Sequence, residues 1–482
     1  MTETLSPAQS ISREKNSPEI SQAGIDDSCR LPVLFLLGSA LVWLFLGSIL
    51  ALIASLKFHA PNLLADCPIL TYGRVFAAQK NILFYGFGVQ VALGFALWLL
   101  CQLGRASLAE PRFVTLGAAF WNFGVTLGAL GILGGDSTGY DSFELPRYAT
   151  PVLFIAYLPI AICAVITFHR RSARTLYPSQ WFVLAALFWF AWIFSTASAL
   201  LLCMPVRGAL QAVVSWWFAN NLNTVVFGGV GLASIFYFLP KLLGRELHSH
   251  YLALLAFWTL LLFGSWGGIS LGAPLPAWIG SMSVVGTVLT AVPLLAIATN
   301  IFLTVRSDAK KLDADIVLRF TYVGLIFWLI ASAQKIIGAL PSVSALTDLT
   351  WFTAAQKQLH IYGFFAMTMF GAIYYIVPRL LQVEWPCTRL MRAHFWCSFL
   401  GISISYLALT IGGIGQGIWL SDAQISFVNV MKATLPAVRG STLGDLLIVL
   451  GNLAFLLNFA LLCSRCCGCC VKNLKKAAEV RS

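Results

Sequence analysis

Long apolar runs, each broken by a short polar stretch, recur along almost the whole chain. A bilayer-spanning helix needs roughly 20 predominantly apolar residues, and about twelve runs reach that length. They predict helices near 32–57, 80–104, 112–135, 148–170, 179–202, 209–240, 249–272, 277–305, 316–340, 352–382, 391–420 and 442–464. A membrane barrel would show short segments of alternating polarity instead. In lipid each helix satisfies its own backbone hydrogen bonds, so the pattern predicts an all-α polytopic membrane protein. The loops are too short to hold a soluble domain. The expected organisation is an N-terminal tail over 1–31, a twelve-helix membrane domain over 32–464 and a Cys/Lys-rich tail over 465–482. Residues 1–31 lack the basic start and following apolar stretch of a secretory signal, and read as a flexible cytoplasmic tail.

Composition narrows the class further. Of 482 residues, 59% are hydrophobic and 10% are charged, with a mean hydropathy of +0.82. Soluble domains carry about 25% charged residues, so a soluble or disordered chain is excluded. The basic residues then set an orientation. With the N-terminus inside and twelve crossings, inside segments hold about 21 Lys and Arg, among them Arg105, Arg170, Arg171, Lys241, Arg245 and Arg379. Outside segments hold about five: Arg74, Arg147, Arg207, Lys432 and Arg439. This is a strong positive-inside bias, and both termini are expected in the cytoplasm. The formal net charge of +12 is explained by anchoring at anionic lipid and needs no nucleic-acid partner.

Several fragments carry a family likeness: "SCRLPVLFLLGSALVWL", "LTYGRVFAAQKN", "LYPSQWFVLAALFWFAWIFSTA", "VVSWWFANN", "FYFLPKLLGRELHSHYLALLAFWTL", "FFAMTMFGAIYYIVPRLL" and "RAHFW". In this order and spacing, over about 29–464, the chain resembles subunit I of the cbb-type (C-family) haem–copper cytochrome c oxidases. The resemblance implies a twelve-helix bundle in a bacterial inner membrane. It also implies partner membrane subunits of an oxidase-like complex, with a c-type cytochrome subunit as a candidate, and a core with haem b and copper. That chemistry needs six imidazoles, because neutral imidazole is a strong ligand for both iron and copper.

Set against that pattern, the ligand positions carry other residues. Gln79 stands at the expected histidine of the second helix, and Gln356 and Gln358 stand at the His-x-His of the tenth. Asn220 takes the histidine position after the Trp-Trp pair of the sixth. On the seventh, Gly264 stands where the family has a tyrosine, and the copper-ligand region around Ser270 holds no histidine. Six histidines exist in all, but His59, His169, His248, His250 and His394 fall at or near helix ends. His360 alone lies well inside a predicted span, and is the one candidate for a lone haem ligand. Amides hydrogen-bond well in a buried cavity but are poor ligands for these metals. The expected core therefore has no cofactor, no catalytic residue and no metal.

Other residues invite chemistry less directly. Lys357 lies between two of these positions, and Lys335 lies near a helix end. Both are expected to snorkel toward the interface, with inward placement the functional alternative. Buried amides at Gln90, Asn122, Asn220, Asn221, Asn223, Asn300, Gln334, Asn452 and Asn458 fit either helix glue or a wet cavity. Cys463, Cys466, Cys467, Cys469 and Cys470 form a weak candidate for a soft metal, and Cys67 and Cys203 share the outer side as a possible pair. Three functions follow: a metal-depleted structural or modulatory subunit of a respiratory complex, a working terminal oxidase reducing dioxygen with electrons from cytochrome c, or a transporter or channel through the emptied core. The first accords best with the residues.

Overall fold

The computed structural model describes residues 21–173, 175–306 and 315–479, with side chains through 466. Helices α1 (Gln22–Leu56), α2 (Tyr72–Gly104), α3 (Pro111–Gly134), α4 (Ala149–His169), α5 (Pro178–Cys203) and α6 (Ala209–Leu243) form the first half. Helices α7 (His250–Gly264), α8 (Ala277–Val305), α9 (Ile316–Gly338), α10 (Trp351–Leu381), α11 (Thr388–Leu420) and α12 (Phe427–Glu479) form the second. Among the described residues, eleven helices are long and apolar enough to cross a membrane, and α7 is a shorter apolar helix. The chain is an all-α membrane protein.

Burial sorts the helices into two layers. The most apolar stretches of α2, α6 and α10 are 100%, 89% and 78% buried, while those of the other long helices lie between 33% and 50%. Helices α2, α6 and α10 therefore make the inner layer, and the others turn one face to lipid. Each inner helix carries a π-helical turn, at Ile82–Val89, Leu222–Phe227 and Leu359–Ala366. A π turn inserts an extra residue and re-aims the side chains beyond it, and such turns gather at functional sites. Apolar periodicity does not reveal them, because the surrounding residues are buried on every side.

Aromatic side chains fill much of the space between the inner helices. The rings of Phe227 and Phe365 lie 4.6 Å apart, with Phe84 and Phe87 packed beside them. Phe364 lies so close to Gly231 that an added Cβ there would meet its ring at 2.5 Å. Gly231 thus permits α6 and α10 to approach.

Three sequence expectations are corrected. The first helix begins at Gln22, inside the region expected to be a tail, because its polar start is an interior interface. Asp26 is buried there and accepts from Gln102 Nε2 at 2.7 Å and Arg379 Nε at 3.0 Å. The seventh span, expected over 249–272, stops at Gly264. Beyond it Gly268 adopts φ +96° and lies against Asn220, where a Cβ would sit 2.6 Å from the Asn220 Cβ. At the C-terminus the backbone of α12 continues helically through Glu479 across the expected tail. Cys467, Cys469 and Cys470 lie outside the described side chains. Cys67 and Cys203 are both thiols without a disulfide.

The amides divide between the two roles open in the sequence. Gln90, Asn122, Ser39 and Trp43 form one network joining α1, α2 and α3, with Ser39 Oγ to Gln90 Oε1 at 2.7 Å and Trp43 Nε1 to Asn122 Oδ1 at 2.8 Å. Asn300 binds both backbone groups of Ser249 at the start of α7. Asn458 likewise binds the backbone of Cys387 at the start of α11. These are helix glue. Asn220, Asn223 and Gln334 line a cavity instead.

Candidate functional site

A cavity of about 240 Å³ lies between α6, α8, α9, α10 and the loop that follows α7. Its wall includes Asn220, Asn223 and Thr224 of α6, Gln334 and Lys335 of α9, and Gln356, Lys357 and His360 of α10. Asp141, Ser270 and Asp348 come from loops, and so does Leu349, which is 90% exposed, so the cavity reaches the surface at that end.

Lys335 is the central charge. Its Nζ donates to Asn220 Oδ1 at 2.7 Å and to Thr224 Oγ1 at 2.6 Å. The expectation that it snorkels outward is corrected: its end turns into the bundle and joins α9 to α6. The cause is local. Asn220 and Thr224 are one helical turn apart on α6, so their oxygens face the same way. The other end of the Asn220 amide donates to the Gly264 carbonyl at 2.8 Å, which fixes the direction of its oxygen. Both acceptors are uncharged, and among the described residues no carboxylate lies within ion-pair distance of Lys335.

Lys357 behaves as expected in part. Its side chain is 55% exposed, yet its Nζ pairs with Asp141 Oδ2 at 2.9 Å. Lys80 reaches the same carboxylate at 2.5 Å and also Glu144 Oε1 at 2.6 Å, while Asn81 Nδ2 donates to Glu144 Oε2 at 2.8 Å. One loop carboxylate thus ties α2 to α10. Burial works against the charge on Asp141, but the Lys357 and Lys80 ammoniums outweigh it and hold the carboxyl well below its ordinary range. Asp348 accepts from Ser270 Oγ at 2.7 Å and Ser344 Oγ at 2.8 Å.

The structure brings eight of the sequence-selected positions to one wall: Asn220, Asn223, Ser270, Gln334, Lys335, Gln356, Lys357 and His360. Gly264 touches the group through its carbonyl. Gln79 and Gln358 are half-buried and do not line the cavity. Asp141, Asp348 and Thr224 escaped sequence reasoning, since loop acids and a single threonine carry no spacing signal. His394, placed at a helix opening by sequence, is fully buried: its Nδ1 bonds Tyr374 Oη at 3.0 Å and its ring stacks on Phe455 at 4.4 Å.

The donor set can be compared with what a haem–copper centre requires. Among the described residues no three His, Cys, Asp or Glu side chains converge as a metal-ligand group. The cavity wall offers one imidazole, and His360 Nε2 faces the Asn223 carbonyl at 2.9 Å. In the tautomer with its proton on Nε2, that nitrogen donates to the carbonyl and has no lone pair for a metal. Amide oxygens, hydroxyls and an ammonium make up the rest. These residues do not fit a haem–copper centre.

Comparisons with known proteins establish the lineage. The family model described as "Cytochrome C and Quinol oxidase polypeptide I" matches residues 32–447. A cytochrome c oxidase subunit 1 homolog of Azorhizobium caulinodans is 26% identical over 438 residues, 86% of this chain and 78% of that protein. The cbb3-type cytochrome c oxidase subunit CcoN1 of Stutzerimonas stutzeri is 24% identical over 436 residues, 86% of this chain and 91% of that one. A solved heme-copper terminal oxidase dimer shares the fold, with a TM-score of 0.71 and 15% identity over 92% of this chain and 84% of that chain. The chain belongs to the cytochrome c and quinol oxidase polypeptide I family.

Proposed function

We propose that this chain is a non-catalytic, metal-depleted homologue of cbb-type cytochrome c oxidase subunit I, acting as a structural or modulatory membrane subunit of a respiratory complex. One observation carries the reading. Asn220, at the position where the resemblance implies a copper ligand, gives its carbonyl oxygen to the Lys335 ammonium. A cation fixed there repels a metal cation: two unit charges about 4 Å apart differ by about 4 kcal/mol at an effective dielectric of 20, and a divalent ion is opposed twice as strongly. The Asp141 bridge supports the same reading. Lys80 adjoins Gln79 and Lys357 lies between Gln356 and Gln358, so an ion-pair tie joins α2 and α10 beside the positions where the resemblance puts haem ligands on those helices.

On this reading the work of the chain is done by its helical surfaces, which can dock other membrane subunits after the core chemistry has gone, since a fold does not fix a function. The location is a bacterial inner membrane with both termini in the cytoplasm. The test is affinity purification of the tagged chain from its native membrane in mild detergent. Recovery of other membrane subunits in fixed ratio, with no dioxygen uptake by the isolated chain when it is given reduced cytochrome c, is expected. Dioxygen uptake by the isolated chain would overturn the proposal.

A further inference from the structure

We infer that a second cavity, at the opposite end of the inner helices, binds a phosphate-bearing polyanion. Lys241 in its wall lies about 30 Å along α6 from Asn220 at 1.5 Å per residue, so this site is separate from the core and independent of the metal-free reading. The cavity holds about 860 Å³, within the span of small-molecule sites, roughly 300–1,000 Å³. It lies on the face that the basic residues assign to the cytoplasm.

All three inner helices bring a cation to this space: Arg105 caps α2, Lys241 ends α6 with Arg245 just beyond it, and Arg379 ends α10. The positive-inside bias accounts for basic residues on this face, but not for their convergence from three helices on one cavity. Two acids stand against them. Glu246 is the one carboxylate in the described wall, and Asp26 matches Arg379 at 3.0 Å. Arg105 and Lys241 have no carboxylate partner among the described residues, and these two cations are the centre of the site.

Their settings select the ligand. Lys241 Nζ donates to the Tyr237 hydroxyl and lies 4.5 Å from the centre of that ring, so two of its three donors remain for a ligand. Arg105 holds φ +48° at the C-cap of α2, a left-handed conformation that glycine usually takes there. An arginine in that place sets a planar fork of donors at the rim. Such a fork pairs with two phosphate oxygens at once, and an ammonium adds a point charge. The rings of Tyr177 and His250, 5.7 Å apart, make an aromatic part of the same wall, which suits an organic phosphate. Two sources present this chemistry, a soluble organic phosphate and the headgroup of an anionic phospholipid. The cavity sits at the ends of the inner layer, with Gln22 of α1, Gln180 of α5 and His250 of α7 around it, a placement that favours the soluble source.

The experiment uses the purified full-length protein in a neutral detergent, free of magnesium and at constant ionic strength. ATP, pyrophosphate and citrate are titrated separately, and binding is read by calorimetry and by the thermal midpoint. ATP and pyrophosphate are expected to bind saturably, with citrate, a polyanion without phosphate, at least about tenfold weaker. Arg105→Gln combined with Lys241→Gln is expected to weaken ATP binding at least about tenfold, while Lys241→Arg, which keeps the charge, retains it and controls for folding. A linear, unsaturable response, or one unchanged in the double variant, overturns the site. Equal affinity for citrate overturns the phosphate class. The same titration in lipid nanodiscs assigns the source. Equal ATP binding in phosphatidylcholine and phosphatidylglycerol discs supports a soluble ligand. Loss of ATP binding in phosphatidylglycerol discs, with that lipid retained by the native chain and released by the double variant in native mass spectrometry, supports the phosphate site and assigns it to lipid.

Discussion

Asn220 shows how one side chain can redirect a site. Its amide donates to Gly264 O at 2.8 Å and accepts from Lys335 at 2.7 Å, so truncation leaves a buried carbonyl and a buried ammonium short of partners. Asn220→Ala is expected to cost about 2–3 kcal/mol of stability in detergent melts, because hydrogen bonds to charged groups are the strong ones. Adding Lys335→Met to that background is expected to cost less than Lys335→Met alone, with a coupling of about 1 kcal/mol or more across the double-mutant cycle. Additive effects would mean that the two do not act together. Asp141 makes a pH-dependent contribution. Its carboxyl is held low by two ammoniums, so its stabilisation is fully present above the unfolded value of about 3.9 and fades as pH falls below that toward the folded value. Asp141→Asn is expected to lose about 1–3 kcal/mol at neutral pH, between the exposed and buried ion-pair limits, and to show a flatter stability curve below about pH 4. The direction of Lys335 was not legible in the sequence. A lysine three residues before the helix-ending Gly338 reads as an interfacial anchor until the acceptors on α6 are seen to face it. The histidine positions were more informative, since helix ends can be located from apolar runs alone, yet His394 proved buried by the rings of Tyr374 and Phe455 from neighbouring helices.

At the scale of elements, the inner layer depends on close approach and on π turns. Gly231 on α6 faces the Phe364 ring on α10. Gly231→Ala is expected to cost about 1–3 kcal/mol through overpacking, and Phe364→Leu in the same chain is expected to recover part of that loss by freeing the space. If the second change makes matters worse, the seam is not where the clash lies. Helix count and most helix positions were readable, because a run of about 20 apolar residues has one stable state in lipid. The early start of α1 was not, since Asp26 looks like a tail residue until Gln102 and Arg379 are placed around it. The early stop of α7 was hidden for a related reason: the loop after it is apolar and glycine-rich, so hydropathy continues where the helix does not. Gly268 at φ +96° is the residue that turns the chain there, and the loop it begins carries Ser270 to the cavity wall.

At the scale of the whole molecule, the chain keeps the architecture of its family while the cavity wall presents amides, hydroxyls and a lysine. An ion-pair bridge ties α2 to α10, the Lys335 ammonium ties α9 to α6 and phenyl rings pack between the inner helices, and on the proposed reading these interactions hold the bundle without a cofactor at its centre. That is the central claim, and it is tested most directly by a dithionite-reduced absorption spectrum with a quantitative haem assay on the chain purified in mild detergent. The account predicts no Soret band and less than about one haem per ten chains. Haem b bound in stoichiometric amount, lost on His360→Ala, would contradict it.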